Sequence, residues 1–171
     1  MWAVILSLFG RNNMKKNWTA IAAMAENRVI GNGNKLPWNI PTEMAWFHIA
    51  TSGGTLVMGR KTFESLPSLR PENKYIVVTR QQGYDCKADN AVAVLSLDDV
   101  PSMGEGNTPI WICGGEEIYR QALPFCCEVL LTIVKGKYEG DAFFPAFEGD
   151  FDCIEQVMKS DEFVTCRYLR K

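Results

Sequence analysis

This chain contains one histidine, His48, and although it has six cysteines no two of them stand in C-x-x-C spacing. Both absences argue against a zinc site, which draws on clustered thiolates and imidazoles. Charge of either sign is not in surplus: 18 basic residues face 20 acidic ones, for a net charge of -2. Such a balance gives no reason to expect nucleic acid or a membrane surface as partner. No apolar run approaches the ~20 residues that a membrane-crossing helix requires. The longest candidate, Trp2-Ala3-Val4-Ile5-Leu6-Ser7-Leu8-Phe9, is also a poor secretory leader, because Arg11, Lys15 and Lys16 follow it and none precedes it. Residues 1–16 therefore read as an extension outside the fold, with Met14 a second possible start. No repeat, low-complexity tract or interdomain linker divides residues 17–171, which read as one domain. The cysteines read as free thiols in a reducing, cytoplasmic setting, since a chain of 171 residues with 47% hydrophobic content needs no disulfide framework.

What is present is an alternation of strand-like and helix-like segments. Strands are expected over 18–24, 55–58, 74–79, 91–95, 109–113 and 128–134. Helices are expected over 42–51, 59–66 and 115–123, with a short one over 96–100 capped by Ser96. Residues 151–157 and 164–169 read as a closing antiparallel pair. The pattern predicts a three-layer α/β fold with a mostly parallel sheet, flanking helices and an antiparallel C-terminal edge. In such sheets ligands bind beyond the carboxyl ends of the strands.

Two places concentrate chemistry. In the first, a glycine-rich loop with Gly31 and Gly33 leads into Pro37-Trp38, and Pro41 then opens an amphipathic helix carrying one acid, Glu43, among Met44, Trp46 and Phe47. A carboxylate in an apolar wall is costly to keep charged unless something hydrogen-bonds to it, so the segment suits a flat, nitrogen-rich ligand that donates hydrogen bonds. The second comprises three strand ends. Gly59-Arg60-Lys61-Thr62 places two cations and a hydroxyl at a helix start, Thr79-Arg80 repeats the pairing, and Gly114-Gly115 lets backbone approach a bulky anion. Together they suit a ligand with several separated phosphates, NADPH rather than NADH, because only the former carries a 2′-phosphate. The Gly-x-Gly-x-x-Gly fingerprint of ordinary dinucleotide folds is absent, since Gly31-x-Gly33 is not completed.

These motifs, in this order and spacing, resemble bacterial dihydrofolate reductase from Trp18 to the C-terminus. The diagnostic pieces are Ile21-Ala22-Ala23, Val29-Ile30-Gly31, Leu36-Pro37-Trp38-Asn39-Ile40-Pro41, Met58-Gly59-Arg60-Lys61-Thr62-Phe63-Glu64-Ser65, Cys113-Gly114-Gly115-Glu116-Glu117-Ile118-Tyr119 and Glu139-Gly140-Asp141-Ala142-Phe143-Phe144-Pro145. The resemblance implies NADPH-dependent reduction of 7,8-dihydrofolate to 5,6,7,8-tetrahydrofolate, which feeds one-carbon and thymidylate metabolism, by a monomer. It places Glu43 on the pterin, with Thr132 supporting it and Trp38 holding a water beside it. Phe47 and Leu66 flank the substrate, the carbonyls of Ile21 and Cys113 face the pterin amino group, and Ala22 lies beside them. Leu36 belongs to the loop over 26–39 that closes on the nicotinamide. The cofactor falls to Ala23, Ile30, Gly31, Asn34, Lys35, Gly59 to Thr62, Thr79, Arg80, Cys113 to Tyr119 and Gln121, with a cis peptide at Gly114–Gly115.

Two departures stand out. Glu43 is a glutamate where most bacterial relatives carry aspartate. Counting back from Thr79-Arg80, the arginine expected to clamp the substrate's α-carboxylate falls on Asn73, and Arg70 falls where a leucine lines the pocket. Asparagine offers no charged fork to a carboxylate. Arg70 or Lys74 is therefore expected to take over part of the task on a shifted backbone, and the altered pocket is expected to be less sensitive to trimethoprim-like antifolates. Asp141 reads as a turn stabiliser and His48 as a solvated helix residue. Two rival functions remain at this point: a riboflavin-pathway reductase of similar fold, and a non-catalytic folate-binding protein.

Overall fold

The computed structural model describes residues 16–171; of the extension expected over 1–16, residues 1–15 lie outside them. Lys16, read from the sequence as the last residue of that extension, is tied to the domain. Its ammonium donates to the carbonyls of Val100 at 2.7 Å and Leu97 at 3.3 Å and lies 4.4 Å from the Trp18 ring centre.

Ten strands and three α-helices follow in chain order: β1 (Trp18–Ala25), β2 (Val29–Gly31), α1 (Pro41–Thr51), β3 (Thr55–Gly59), α2 (Arg60–Glu64), β4 (Lys74–Val78), β5 (Ala91–Val94), β6 (Ile110–Ile112), α3 (Glu116–Ala122), β7 (Cys126–Val134), β8 (Ala142–Phe143), β9 (Phe151–Lys159) and β10 (Phe163–Arg170). Eight of the strands form one sheet in the order β5-β4-β3-β6-β1-β7-β10-β9. Pairings from β5 through β7 are parallel, and β10 pairs antiparallel with both β7 and β9. This is the expected α/β arrangement with its antiparallel edge. The short helix expected near Ser96 is a 3-10 turn over Leu97–Asp99, closed by a reciprocal capping box between Ser96 and Asp99.

Both faces of the inner parallel strands β4, β3, β6 and β1 are buried, which explains why they read as unbroken apolar runs rather than alternating ones. Val57 and Ile76 face a core shared with Trp18, Ile112 and the Ile118, Tyr119 and Ala122 side chains of α3. Their neighbours Leu56, Met58, Tyr75 and Val77 face the opposite core with Phe63 of α2. Phe47 of α1 packs on the rim of that second core, so α1 and α2 cover one face and α3 the other.

Two features depart from the sequence reading. A small second sheet pairs β2 with β8, and no strand was expected at either place. It pins the glycine loop against residues 140–144, where a side chain on Gly140 would collide with Val29 Cγ1 at 2.3 Å and with the Gly31 carbonyl at 2.5 Å. The amphipathic expectation for α1 is also overturned. Its buried residues are the polar Glu43 and Thr51, while Met44 and Ile49 are exposed. The helix borders a cleft through Glu43 and Met44 and meets the second core only at Phe47, so it presents no continuous apolar face.

Candidate active site

Glu43 sits in the first turn of α1, where its negative charge suits the free N–H groups of the helix start, and Pro41 presets the first helical turn. Its side chain points inward and the residue is only 6% exposed. Burial pushes its carboxyl up from the usual carboxylate range to about 7, and the Thr132 hydroxyl, hydrogen-bonded to it from β7, offsets part of the rise. Thr132 is itself buried, and its hydroxyl lies 2.8 Å from the hydroxyl of Thr165 on β10, the residue directly opposite it in the strand register. A cleft of about 400 Å³ opens beside the acid between α1 and the loop before it, lined by Leu36, Trp38, Met44 and His48 among others. Trp38 is buried, stacks edge-on against Tyr138 with ring centres 5.3 Å apart, and carries an indole N–H with no partner among the described residues. Leu36 is exposed at the cleft mouth, and His48 is exposed as expected.

Phe47, Leu66, Leu69 and Cys113 form a half-buried apolar rim on the second core. Leu69 was not among the residues picked from the sequence; it packs on the second core beside Leu66, while its neighbour Arg70 turns to α1. Asn73 is fully buried and faces no cleft: its amide nitrogen donates to the carbonyls of Thr51 at 2.6 Å and Gly54 at 3.0 Å. Arg70 instead reaches the C-terminal end of α1, where its Nη1 donates to the His48 carbonyl at 2.9 Å. Lys74 is exposed at the first residue of β4.

Of the two carbonyls expected to face the ligand, that of Ile21 on β1 accepts from the buried Tyr119 hydroxyl at 2.7 Å. Burial keeps that phenol protonated, with the neighbouring Cys113 and Glu43 adding to the effect. Burial likewise pushes the Cys113 thiol up. Ala22 is buried on β1 and Ala23 is half-buried beside it.

The three strand ends singled out in the sequence belong to β4, β3 and β6, which are consecutive in the sheet. The Gly59 N–H donates to the Gly114 carbonyl at 2.7 Å, and a side chain on Gly115 would come within 3.3 Å of Thr62 Oγ1. The Gly114–Gly115 peptide is cis, as the resemblance implied. Arg60 is paired with Glu64 at 3.0 Å, whereas Lys61 and Arg80 are exposed. Thr79 is buried, its hydroxyl accepting from the Gln81 N–H at 3.2 Å. On α3, Glu116 and Glu117 both pair with Arg120, and Gln121 donates to Glu117 at 2.7 Å. Ile118 and Tyr119 are core residues. Ile30 packs on the same core, and Gly31 lies in the small sheet. Asn34, in a left-handed conformation, donates its side-chain amide to the Lys61 carbonyl at 2.8 Å, and Lys35 closes a tight turn back to Asn32. Asp141 does more than stabilise its own turn. Its carboxylate accepts from the Gly33 N–H at 3.1 Å, fastening the glycine loop to the residues before β8.

A model of the family described as dihydrofolate reductase matches residues 17–169. A dihydrofolate reductase of Neisseria gonorrhoeae is 44% identical over 131 residues, covering 76% of this chain and 80% of that protein. A dihydrofolate reductase type A13 of Escherichia coli is 43% identical over 135 residues, covering 78% and 81%. Among solved structures, dihydrofolate reductase from Enterococcus faecalis complexed with NADP(H) and RAB-propyl superposes with a TM-score of 0.80 at 26% identity, over 92% of this chain and 98% of that one.

Proposed function

The chain belongs to the dihydrofolate reductase family, and on that premise we propose that Glu43 grips the pterin ring while the ends of β4, β3 and β6 hold the coenzyme. The reaction is the NADPH-dependent reduction of 7,8-dihydrofolate to 5,6,7,8-tetrahydrofolate. The observation that carries the assignment of roles is the burial of one carboxyl, Glu43, in the wall of the cleft, with Thr132 as its hydrogen-bond partner.

The residues present fit NADPH. Gly59, Gly114 and Gly115 leave backbone bare at adjoining strand ends, and Lys61, Thr62 and Arg80 surround them with donors suited to phosphate. When bound, NADPH supplies the hydride that reduces the pterin. The chain's own residues orient and polarise. An ionised Glu43 accepts hydrogen bonds from the ring's amino group and N3, and those bonds oppose the burial that raises its pKa. So engaged, it cannot reach N5; it raises the ring's basicity while water delivers the proton. Trp38 is suited to hold that water through its unpartnered indole N–H. The glycine loop, fastened by Asp141 and Asn34, excludes bulk solvent with Leu36 at its tip.

Arg70 is the residue we assign to the substrate's α-carboxylate. Its guanidinium stands at the C-terminal end of the same helix that carries Glu43 in its first turn, and it offers the charged fork that Asn73 lacks. Asn73 serves the fold instead. The rebuilt 66–74 segment and the longer arm of Glu43 line the ground that diaminopyrimidine antifolates share, and reduced trimethoprim sensitivity follows. An inhibition constant equal to that of an ordinary bacterial relative would refute this. The free thiols of all six cysteines suit a cytoplasmic enzyme, and we read it as a monomer that takes small molecules only.

The test is NADPH oxidation dependent on dihydrofolate, in the wild type and in Glu43→Ala. The variant is expected to fold, by circular dichroism, and to lose about 100-fold or more in turnover. Turnover near that of the wild type would overturn the role given to Glu43. Activity on the riboflavin-pathway intermediate in place of dihydrofolate would favour the first rival function, and ligand affinity without turnover the second.

A further inference from the structure

The guanidinium assigned to the substrate's tail is already holding a carboxylate, and that carboxylate is the protein's own. Arg70 Nη1 donates to the His48 carbonyl at 2.9 Å and lies 3.5 Å from the Thr51 hydroxyl. Its Nη2 donates to Glu72 Oε1. Both terminal nitrogens of the fork are therefore engaged, one by backbone and one by an acid two residues away.

The two partners differ in how firmly they are held. The main chain at Arg70 is fixed from three sides: its N–H donates to the Tyr75 hydroxyl at 2.9 Å, and its carbonyl accepts from the Asn90 amide and the Asn73 N–H, each at 3.1 Å. Tyr75 is 2% exposed and Asn73 is fully buried, so this mount belongs to the core. The Arg70 side chain is 21% exposed. Glu72 has no such mount, and its side chain is 42% exposed. A displacement that frees the fork must therefore move Glu72 and leave Arg70 in place.

We infer that Glu72 is an internal competitor for the anionic tail of dihydrofolate: its carboxylate occupies the outer nitrogen of Arg70 in the free enzyme and swings outward when the substrate's carboxylate arrives. The inference rests on the assignment of Arg70 to that carboxylate. Two carboxylates on one guanidinium repel each other whether or not the first is fully displaced, so Glu72 lowers affinity in either geometry. The position is exposed and screened, which keeps the effect modest. Glutamine at this position keeps the shape and the capacity to accept a hydrogen bond while removing the charge.

The experiment measures KM and kcat for dihydrofolate and for 6-methyl-7,8-dihydropterin, which has no carboxylate tail, in the wild type, Glu72→Gln and Arg70→Met. Glu72→Gln is expected to lower KM for dihydrofolate roughly threefold to fivefold without lowering kcat. Its KM for the tail-less pterin is expected to stay within about twofold of the wild type, a split that a general change in packing would not produce. Arg70→Met is expected to raise KM for dihydrofolate about tenfold. If Arg70→Met leaves that KM unchanged, the clamp is elsewhere and the inference falls with it. If Arg70→Met raises KM but Glu72→Gln leaves it unchanged or raises it, the clamp stands and Glu72 is not its competitor.

Discussion

Glu43 and Arg70 stand at opposite ends of α1, and they are supported in opposite ways. Glu43 is buried, has one polar partner from the protein, and is pushed up to about 7 by its surroundings. Arg70 is half-buried, held by a backbone carbonyl, and paired with Glu72, whose carboxyl its own backbone and Arg70 pull below the usual range. One end of the helix works by desolvation and the other by a hydrogen-bonded scaffold near water. On the proposed assignment the difference separates two tasks. A ring must be gripped in a single orientation for chemistry, and a flexible charged tail needs only to be retained.

The largest expected effect concerns the buried end. The native state holds the Glu43 proton up to about pH 7, while the unfolded chain releases it near 4.5. The folded protein thus binds more protons across that window. Stability is full below it and falls as pH rises through it, by about 3 kcal/mol in all. Glu43→Gln removes that slope. Urea titrations of both proteins between about pH 4 and pH 8 check it, and parallel curves would show that the acid is better solvated than its burial implies.

Next is the scaffold of the other end. Asn73→Ala strips two hydrogen bonds from the Thr51 and Gly54 carbonyls and is expected to cost about 2 kcal/mol of stability, read from the urea midpoint. It is also expected to raise KM for dihydrofolate while leaving kcat within about twofold, because it loosens the mount of Arg70 rather than the grip on the ring. A fall in kcat alone would break the proposed division between the two ends.

Ionic strength provides a smaller contrast. Raising salt from 0.05 to 0.5 M (assay conditions) is expected to increase KM for dihydrofolate about threefold in the wild type and hardly at all in Arg70→Met, since an exposed charge is screened. An equal salt response in both proteins would place the tail's partner elsewhere. The smallest effect lies behind Glu43. Thr165 sits 2.8 Å from Thr132, and its hydroxyl can donate to Thr132 so that Thr132 keeps its own proton for the acid. Thr165→Val is expected to raise the Glu43 titration by about half a pH unit, and Thr165→Ser to restore it, in ¹³C-detected NMR of the carboxyl. No movement in either variant would mean that Thr132 acts alone.

How much of this was legible in the sequence differs between the same two regions. Glu43 could be picked out because one acid among Met44, Trp46 and Phe47 is a chemical anomaly wherever the helix lies. The strand ends at Gly59, Thr79 and Gly114 could be picked out because turns advertise themselves through glycine and charge. The tail end could not be read in the same way. Arg70 and Leu69 are neighbours, and which of them packs on the core depends on how the chain between α2 and β4 is wound, which the Tyr75 hydroxyl, Asn73 and Asn90 settle from distant positions. The β2–β8 pairing was missed because strands of three and two residues carry too little periodicity to register. Helix α1 misled for a related reason: its buried face was read as apolar on the assumption that it met a core.

By itself the sequence determined the alternation of strands and helices, the bare backbone at three strand ends and the presence of one acid in an apolar setting, because each is a local matter of residue type and spacing. Only the tertiary structure decided that those strand ends are neighbours, that Asn73 turns inward, and that Arg70 reaches the C-terminal end of α1 with Glu72 already upon it. Hydrogen bonds between residues far apart in the chain exist only once the sheet has brought them together, and no periodicity records them beforehand.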